Sequence, residues 1–395
     1  MDTQVEGLKH IADAIAGVDL KSASKILKSI ASMKDKPEKG LLPADAADQY
    51  LALRNLRRDK LPLLRYYKGE WYRYNGMIYV RKDEGEIKAD IMRYLRHVDK
   101  TRAKPNFQSG VIANLHSLCE MPSLVDWPSQ LTGNAWETRR EWIVVQNGIV
   151  DLNTPMSTGN ERRLMAHTPT FFSTVLLPYA YDPHAGCPRW ESFIAQVWPD
   201  RDCQLLMQEI FGYCLTFNTT QQKFFLLLGE GSNGKGVLLR VLRLLVGPEN
   251  ISAVSLARLG DRFELGQTLG KLACLASEVD NVRQLDEAVL KQFTGEDPMR
   301  MEHKYKHPFT AMPTAKLIIA ANVHLPFKDR SEGIWRRLMA IPFTVTIPEA
   351  QQNKNLSDEL AQELSGILNW AVMGQDRLRV QGRFTHPAVS QDIGL

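Results

Sequence analysis

Residues 222–237 read Gln-Lys-Phe-Phe-Leu-Leu-Leu-Gly-Glu-Gly-Ser-Asn-Gly-Lys-Gly-Val, an order that few local architectures accommodate. Phe224 to Leu228 is a short, wholly apolar run, which suits a strand buried on both faces. Beyond Lys235, residues Val237, Leu238, Val241, Leu242 and Leu245 recur at helical spacing, with Arg240 and Arg243 between them. The segment predicts strand, glycine loop and helix in sequence. Such a loop wraps a phosphate chain: its N–H groups turn inward and the helix N-terminus adds partial positive charge. Gly229, Glu230, Gly231, Ser232, Asn233, Gly234, Lys235, Gly236 and Val237 are the expected phosphate-binding residues, with Lys235 reaching the outer phosphates. The pattern G-x-x-x-x-G-K-[ST] holds to Lys235 and fails at Gly236, where a hydroxyl would hold Mg²⁺. A bare glycine turn would also join a strand to a helix, but here loop and flanks agree with each other.

The chain is long enough, at 395 residues, for two or three domains. No apolar run approaches membrane-span length, and the N-terminus lacks a signal-peptide core. Five cysteines, Cys119, Cys187, Cys203, Cys214 and Cys274, form no CxxC pair, which argues against a zinc ribbon or disulfide framework. A reducing cytoplasm, with no membrane partner, is the expected setting. Net charge is +4, but residues 51–110 hold fifteen Lys and Arg against seven Asp and Glu. Tyr66, Tyr67, Trp71, Tyr72, Tyr74 and Tyr79 lie in the same stretch. Basic residues mixed with aromatics suit nucleic acid; a solvated face on a small sheet fits this stretch equally well.

Four segments are expected: helices or a linker over 1–50, a basic α/β domain over 51–185, the nucleotide-binding core over 186–345, and a helical end over 346–395. Asn75-Gly76 and Asn147-Gly148 read as hairpin turns. Asp202 reads as the N-cap of a helix running to Phe217. Lys271 to Asp280 predicts a second buried strand with acids at its end, where carboxylates bind Mg²⁺ or polarise water. Glu278 is the first candidate, as metal ligand and catalytic group, and Asp280 the second. Lys316 to Asn322 predicts a third strand; Asn322 at its end could contact the γ-phosphate or simply form a turn. Arg336-Arg337 precedes a fourth, Leu338–Phe343; they suit surface salt bridges or an arginine finger acting in trans. Leu356 to Val372 reads as one closing amphipathic helix.

These pieces, in this order, resemble the superfamily 3 helicases, and more closely the helicase half of the phage, plasmid and poxvirus primase-helicase family. Val145-Gln-Asn-Gly-Ile-Val-Asp-Leu, and Tyr181-Asp-Pro with Ala185 and Cys187-Pro188, resemble the pre-helicase region. Gly229 to Lys235 resembles Walker A, and Ser277-Glu-Val-Asp Walker B. Lys291, Thr294-Gly-Glu-Asp-Pro and the run through Lys304 and Lys306 resemble the segment leading to a channel hairpin. Lys316 to Asn322 with Pro326 resembles the sensor, and Arg336-Arg337 with Ile341-Pro-Phe the arginine-finger region. The resemblance covers roughly residues 60–390.

The resemblance implies an α/β, AAA+-like P-loop parallel sheet with helices on both faces, preceded by a smaller mixed α/β basic domain. It implies ATP and Mg²⁺ as cofactors, a homo-oligomer with hexameric ring, and 3′ to 5′ movement on single-stranded DNA in mobile-element replication. Lys304, Tyr305 and Lys306 would grip the strand, with Arg336 or Arg337 completing a neighbour's site. The family's primase half is missing upstream, so a separate primase or polymerase is an expected partner. The end soon after Pro387 fits a short version or a fragment. A competing reading is an ATP-dependent origin-assembly factor that builds a ring without unwinding. A third, a metabolic P-loop kinase, finds no second-substrate motif.

Overall fold

The computed structural model describes residues 40–55, 62–132, 135–154, 164–276, 286–302, 308–322, 325, 327 and 332–391. The chain divides into two compact units, one of residues up to 73 with 82–121, the other of 74–81 with 122 onward.

In the first unit, helix α1 (Pro43–Arg54) is followed by an antiparallel hairpin of β1 (Leu64–Tyr67) and β2 (Glu70–Tyr74), with Leu64 opposite Arg73. Helices α2 (Glu84–Val98) and α3 (Pro105–Cys119) follow. Proline stands in the first turn of α1 and α3, where its missing N–H costs nothing. Tyr50, Leu64, Trp71, Ile87, Ile91, Tyr94 and Leu115 close one core among these elements. The expected helices before residue 40 lie outside the described residues.

The second unit opens with short antiparallel pairs. β3 (Ser129–Thr132) pairs with β4 (Ala135–Thr138), and β5 (Trp142–Val145) with β6 (Gly148–Asp151). The second turn falls one residue earlier than expected, at Gln146-Asn147, because Gly148 already pairs with Val145. Asn147 is held there by two bonds to Tyr181: its Oδ1 accepts from the Tyr181 N–H and its Nδ2 donates to the Tyr181 carbonyl, both at 2.9 Å. Two helices come next, α4 (Pro188–Val197) and α5 (Arg201–Cys214). Asp200, not Asp202, caps α5, accepting the Asp202 N–H at 3.0 Å. Asp202 instead places its charge in the first turn, where the helix dipole favours it.

The body of this unit is a five-stranded, all-parallel sheet. Its strands are β7 (Phe224–Leu228), β8 (Ile251–Ala253), β9 (Ala273–Ala276), β12 (Lys316–Ala321) and β13 (Leu338–Pro342), in the order β8-β9-β12-β7-β13. Alternate residues of β7 serve opposite faces. Phe225 and Leu227 join Ile318, Met339 and Ile341 in one core; Phe224 and Leu226 join Leu317, Ile319 and Ala321 in the other. That is why the run carries no polar residue. Helix α6 (Lys235–Val246) follows β7 and buries Leu238, Val241, Leu242 and Leu245. Helix α7 (Glu287–Thr294) leads to a small antiparallel pair, β10 (Met299–Met301) with β11 (Phe309–Ala311), between β9 and β12 in the chain. β8, at the sheet edge, is a fifth strand that the four predicted ones did not include. The predicted closing helix is two, α8 (Leu356–Ala361) and α9 (Leu364–Gln381). Trp370 on α9 packs in the core against Trp190 and Phe211.

Candidate active site

Parallel strands bring their C-terminal ends to one edge of the sheet. Leu228 at the end of β7 lies opposite Ala321 at the end of β12. The next residues, Gly229 and Asn322, are therefore neighbours although far apart in sequence. Lys235, first residue of α6, reaches back across both. Its Nζ donates to the Gly229 carbonyl, the Ala321 carbonyl and Asn322 Oδ1, each at 2.8 Å. Three oxygens thus hold the ammonium at the mouth of the loop, where an anionic oxygen would compete for it.

Two glycines of the loop are required by its shape. A side chain on Gly229 would begin 2.3 Å from Asn233 Nδ2 and 2.8 Å from Phe343. Gly234 has φ of 85° as the N-cap of α6, and a side chain there would begin 2.9 Å from Val197. Asn233 is buried, and its Oδ1 accepts the Lys235 N–H at 3.3 Å, bracing the turn from inside. The Ile347 N–H donates to the Ser232 carbonyl at 2.8 Å and fastens the outer limb. Glu230, Gly231, Ser232 and Gly236 are exposed.

Gly236 meets nothing within 4 Å of where a side chain would begin. The space a Ser or Thr hydroxyl would fill is open to water, so the loop fits a magnesium shell completed by solvent. β9 ends at Ala276, opposite Ile319 of β12. Glu278 and Asp280, just beyond, lie outside the described residues, as does Pro326. The same holds for Lys304, Tyr305 and Lys306, which the sequence places between β10 and β11.

Arg336 and Arg337 stand at the other edge of the sheet. β13 runs from Leu338, opposite Phe224, to Pro342, opposite Leu228. Five strand residues separate Arg337 from the loop edge, about 16 Å. The two arginines differ. Arg336 is exposed, whereas Arg337 is buried and donates through Nη1 to the Gly333 carbonyl at 2.7 Å. Burial, then the charge of Arg336, holds the Arg337 pKa below its ordinary value; Asp297 acts against them.

One buried charge had no signal in the sequence. Lys316 opens β12 with its side chain in the core, donating to the Thr216 carbonyl and lying 5.0 Å from the Tyr213 ring centroid. Burial lowers its pKa from 10.5 to about 8. A lysine ahead of an apolar strand reads as an ordinary flank; only packing reveals it.

Residues 52–199 match the family described as "D5 N terminal like", and residues 227–337 match a "Family of unknown function (DUF5906)". A protein of Acanthamoeba polyphaga mimivirus named "Putative helicase L207/L206" is 27% identical over 175 residues. That match takes in 42% of this chain and 18% of the mimivirus protein's length. The two matched families together are typical of the phage and viral primase-helicases of superfamily 3. Two solved structures of the C-terminal region of NrS-1 share this chain's fold at 12% identity. One has a TM-score of 0.54 over 85% of this chain and 69% of that one; the other, 0.50 over 89% and 77%. The D5-like match runs from the end of α1 to just past α4, and the second match from β7 to Arg337. The primase-helicase likeness implies nucleotide binding. Among the described residues no helix is long and apolar enough to cross a membrane.

Proposed function

We propose that this chain is an ATP-driven DNA helicase of mobile-element replication, working as a homohexameric ring with ATP between subunits. Single-stranded DNA threads the ring. One observation carries the reading: Lys235 Nζ spans the glycine loop and Asn322 at one sheet edge. In this reading Lys235 neutralises phosphate charge and the loop N–H groups cradle the chain of phosphates. Asn322 senses the γ-phosphate through the contact it now makes with Lys235. Mg²⁺, when bound, would neutralise charge on the phosphates; Glu278, with water beside Gly236, would hold it. Glu278 and Asp280 would also orient the attacking water. Arg336 belongs to the neighbour's site, because its own loop is a strand length away. Lys304, Tyr305 and Lys306 would grip the DNA, and a separate primase or polymerase would extend what the ring exposes.

Lys235→Ala tests the site. ATP turnover, with and without DNA, should fall to background while circular dichroism and melting temperature stay at parent values. Near-parent turnover by a folded variant overturns the assignment. Strand displacement by the parent distinguishes a motor from a ring that only assembles.

A further inference from the structure

The positive charge of this chain is concentrated in one place. Residues 51–110 net +8, whereas the chain nets +4, so the other 335 residues net −4. Within the first unit two of the described ionic contacts on α2 cancel one for one: Lys82 pairs with Glu86 and Lys88 with Glu84. At Asp90 they do not. Arg73 Nη2 lies 2.9 Å from Asp90 Oδ2, Arg54 Nη1 3.1 Å from Oδ1, and Arg93 Nη2 3.4 Å from Oδ1. Three guanidiniums from α1, β2 and α2 converge on one carboxylate, leaving +2 at a point.

The carboxylate is the inner post of this arrangement, its side chain 11% exposed, and the arginines form the rim at 31% for Arg73, 45% for Arg54 and 67% for Arg93. Tyr50 Oη donates to Asp90 Oδ2 at 2.7 Å and accepts from Arg73 Nη2 at 2.8 Å. Arg73 is thereby fixed from two sides, so an incoming anion need not order it. Burial, then the bond to Asp90, pushes the Tyr50 pKa up to about 12, so the hydroxyl stays a neutral donor and adds no negative charge. A guanidinium has five donors in a planar fork, and forks match phosphate oxygens two at a time.

We propose that Arg54, Arg73 and Arg93, gathered on Asp90, form a binding site for the phosphodiester backbone of nucleic acid, made of residues other than Lys304, Tyr305 and Lys306. This deepens the DNA-binding part of the proposed function and rests on it. The site reads backbone, not sequence, and anchors a strand on the first unit.

Anisotropy titrations of the full chain without nucleotide, from 50 to 200 mM salt, test it on labelled single-stranded and duplex oligonucleotides. In Arg54→Gln/Arg93→Gln the slope of log K against log salt on single strands should shrink by about 1.4, from roughly 0.7 per lost contact. Affinity at 50 mM salt should fall at least tenfold. The paired Arg→Lys variant should keep the slope, because it keeps the charge. Loss on single strands alone marks the threaded strand as the ligand; loss on both marks any backbone. An unchanged slope on both, or equal loss in the Lys pair, overturns the site. If the Gln pair lowers the melting temperature, Arg93→Gln alone, on the most exposed side chain, should still lose about 0.7. Nucleotide is absent throughout, so failure of ATP turnover in the parent would sink the motor and leave this result standing.

Discussion

Gly236 and Gly234 stand two residues apart and tolerate opposite things. Gly236 faces open space. Gly236→Ser should keep the parent melting temperature and support ATP turnover at lower Mg²⁺, as a Mg²⁺ titration of the rate would measure. Complete loss of metal-dependent turnover would mean that the backbone there needs glycine. Gly234→Ala meets both a left-handed φ and the Val197 side chain. It should cost about 1–3 kcal/mol in denaturant unfolding, the usual range for a strained backbone position. Lys316 gives a prediction with a sign. Its folded pKa is about 8, below the 10.5 of an unfolded lysine. Between those values the unfolded chain binds more protons, so the Lys316 contribution to stability improves as pH rises. Below pH 8 both forms are charged and the full burial penalty remains. The stability of the parent relative to Lys316→Met should therefore rise by on the order of 3 kcal/mol from pH 8 to 10.5, at 1.36 kcal/mol per unit. Urea unfolding across that range measures it; a flat difference would contradict a buried, neutral-going amine.

At the scale of elements, β13 carries opposite groups on its two ends. Its C-terminal end abuts the phosphate loop, while Arg336 and Arg337 precede its first residue. Arg336→Ala should remain folded and lose a rate factor of about 10³ or more if it acts as a finger. Mixing it with Lys235→Ala subunits should restore part of the turnover, because some interfaces then carry both intact halves. Mixtures that never exceed the sum of the separate variants would refute action in trans. Arg337→Ala should lower stability instead, since Arg337 is buried against the Gly333 carbonyl. A second element-scale tie is Glu209, fully buried on α5. It accepts from Arg377 Nε on α9 and from the Thr385 N–H and hydroxyl, all at 2.7 Å. Glu209→Ala leaves the Thr385 donors and Arg377 Nε without their acceptor and the guanidinium without its counter-charge, and should cost about 3–5 kcal/mol in urea unfolding.

At the scale of the whole molecule, the proposed function turns on assembly. Native mass measurement should give a larger species with ATP and single-stranded DNA than without, with six subunits as the expected count. A monomer under every condition would leave Arg336 no neighbour to serve. The charge division between residues 51–110 and the rest also acts at this scale. Salt should weaken DNA binding steeply, because each phosphate contact releases counterions.

Sequence alone determined the unit around Lys235. Strand, loop and helix there are consecutive, so an apolar run, spaced glycines and a 3.6-residue period suffice to specify them. The same holds for the apolar strand β12, expected over Lys316 to Asn322. Short pieces were less legible: β8 has three residues, too few for any period, and the capping role of Asp200 over Asp202 depends on which carboxylate turns back to the helix. Tertiary structure decided what sequence could not. Strand order set β12 beside β7, and only that order carries Asn322 to Lys235 across 87 positions. Packing separated Arg336 from Arg337, adjacent residues of one type, by burying the second. It also turned Lys316 inward and drew Arg54, Arg73 and Arg93 onto Asp90 from three elements. Local pattern reports which face a residue takes on its own element; it carries no record of which distant face will be brought against it.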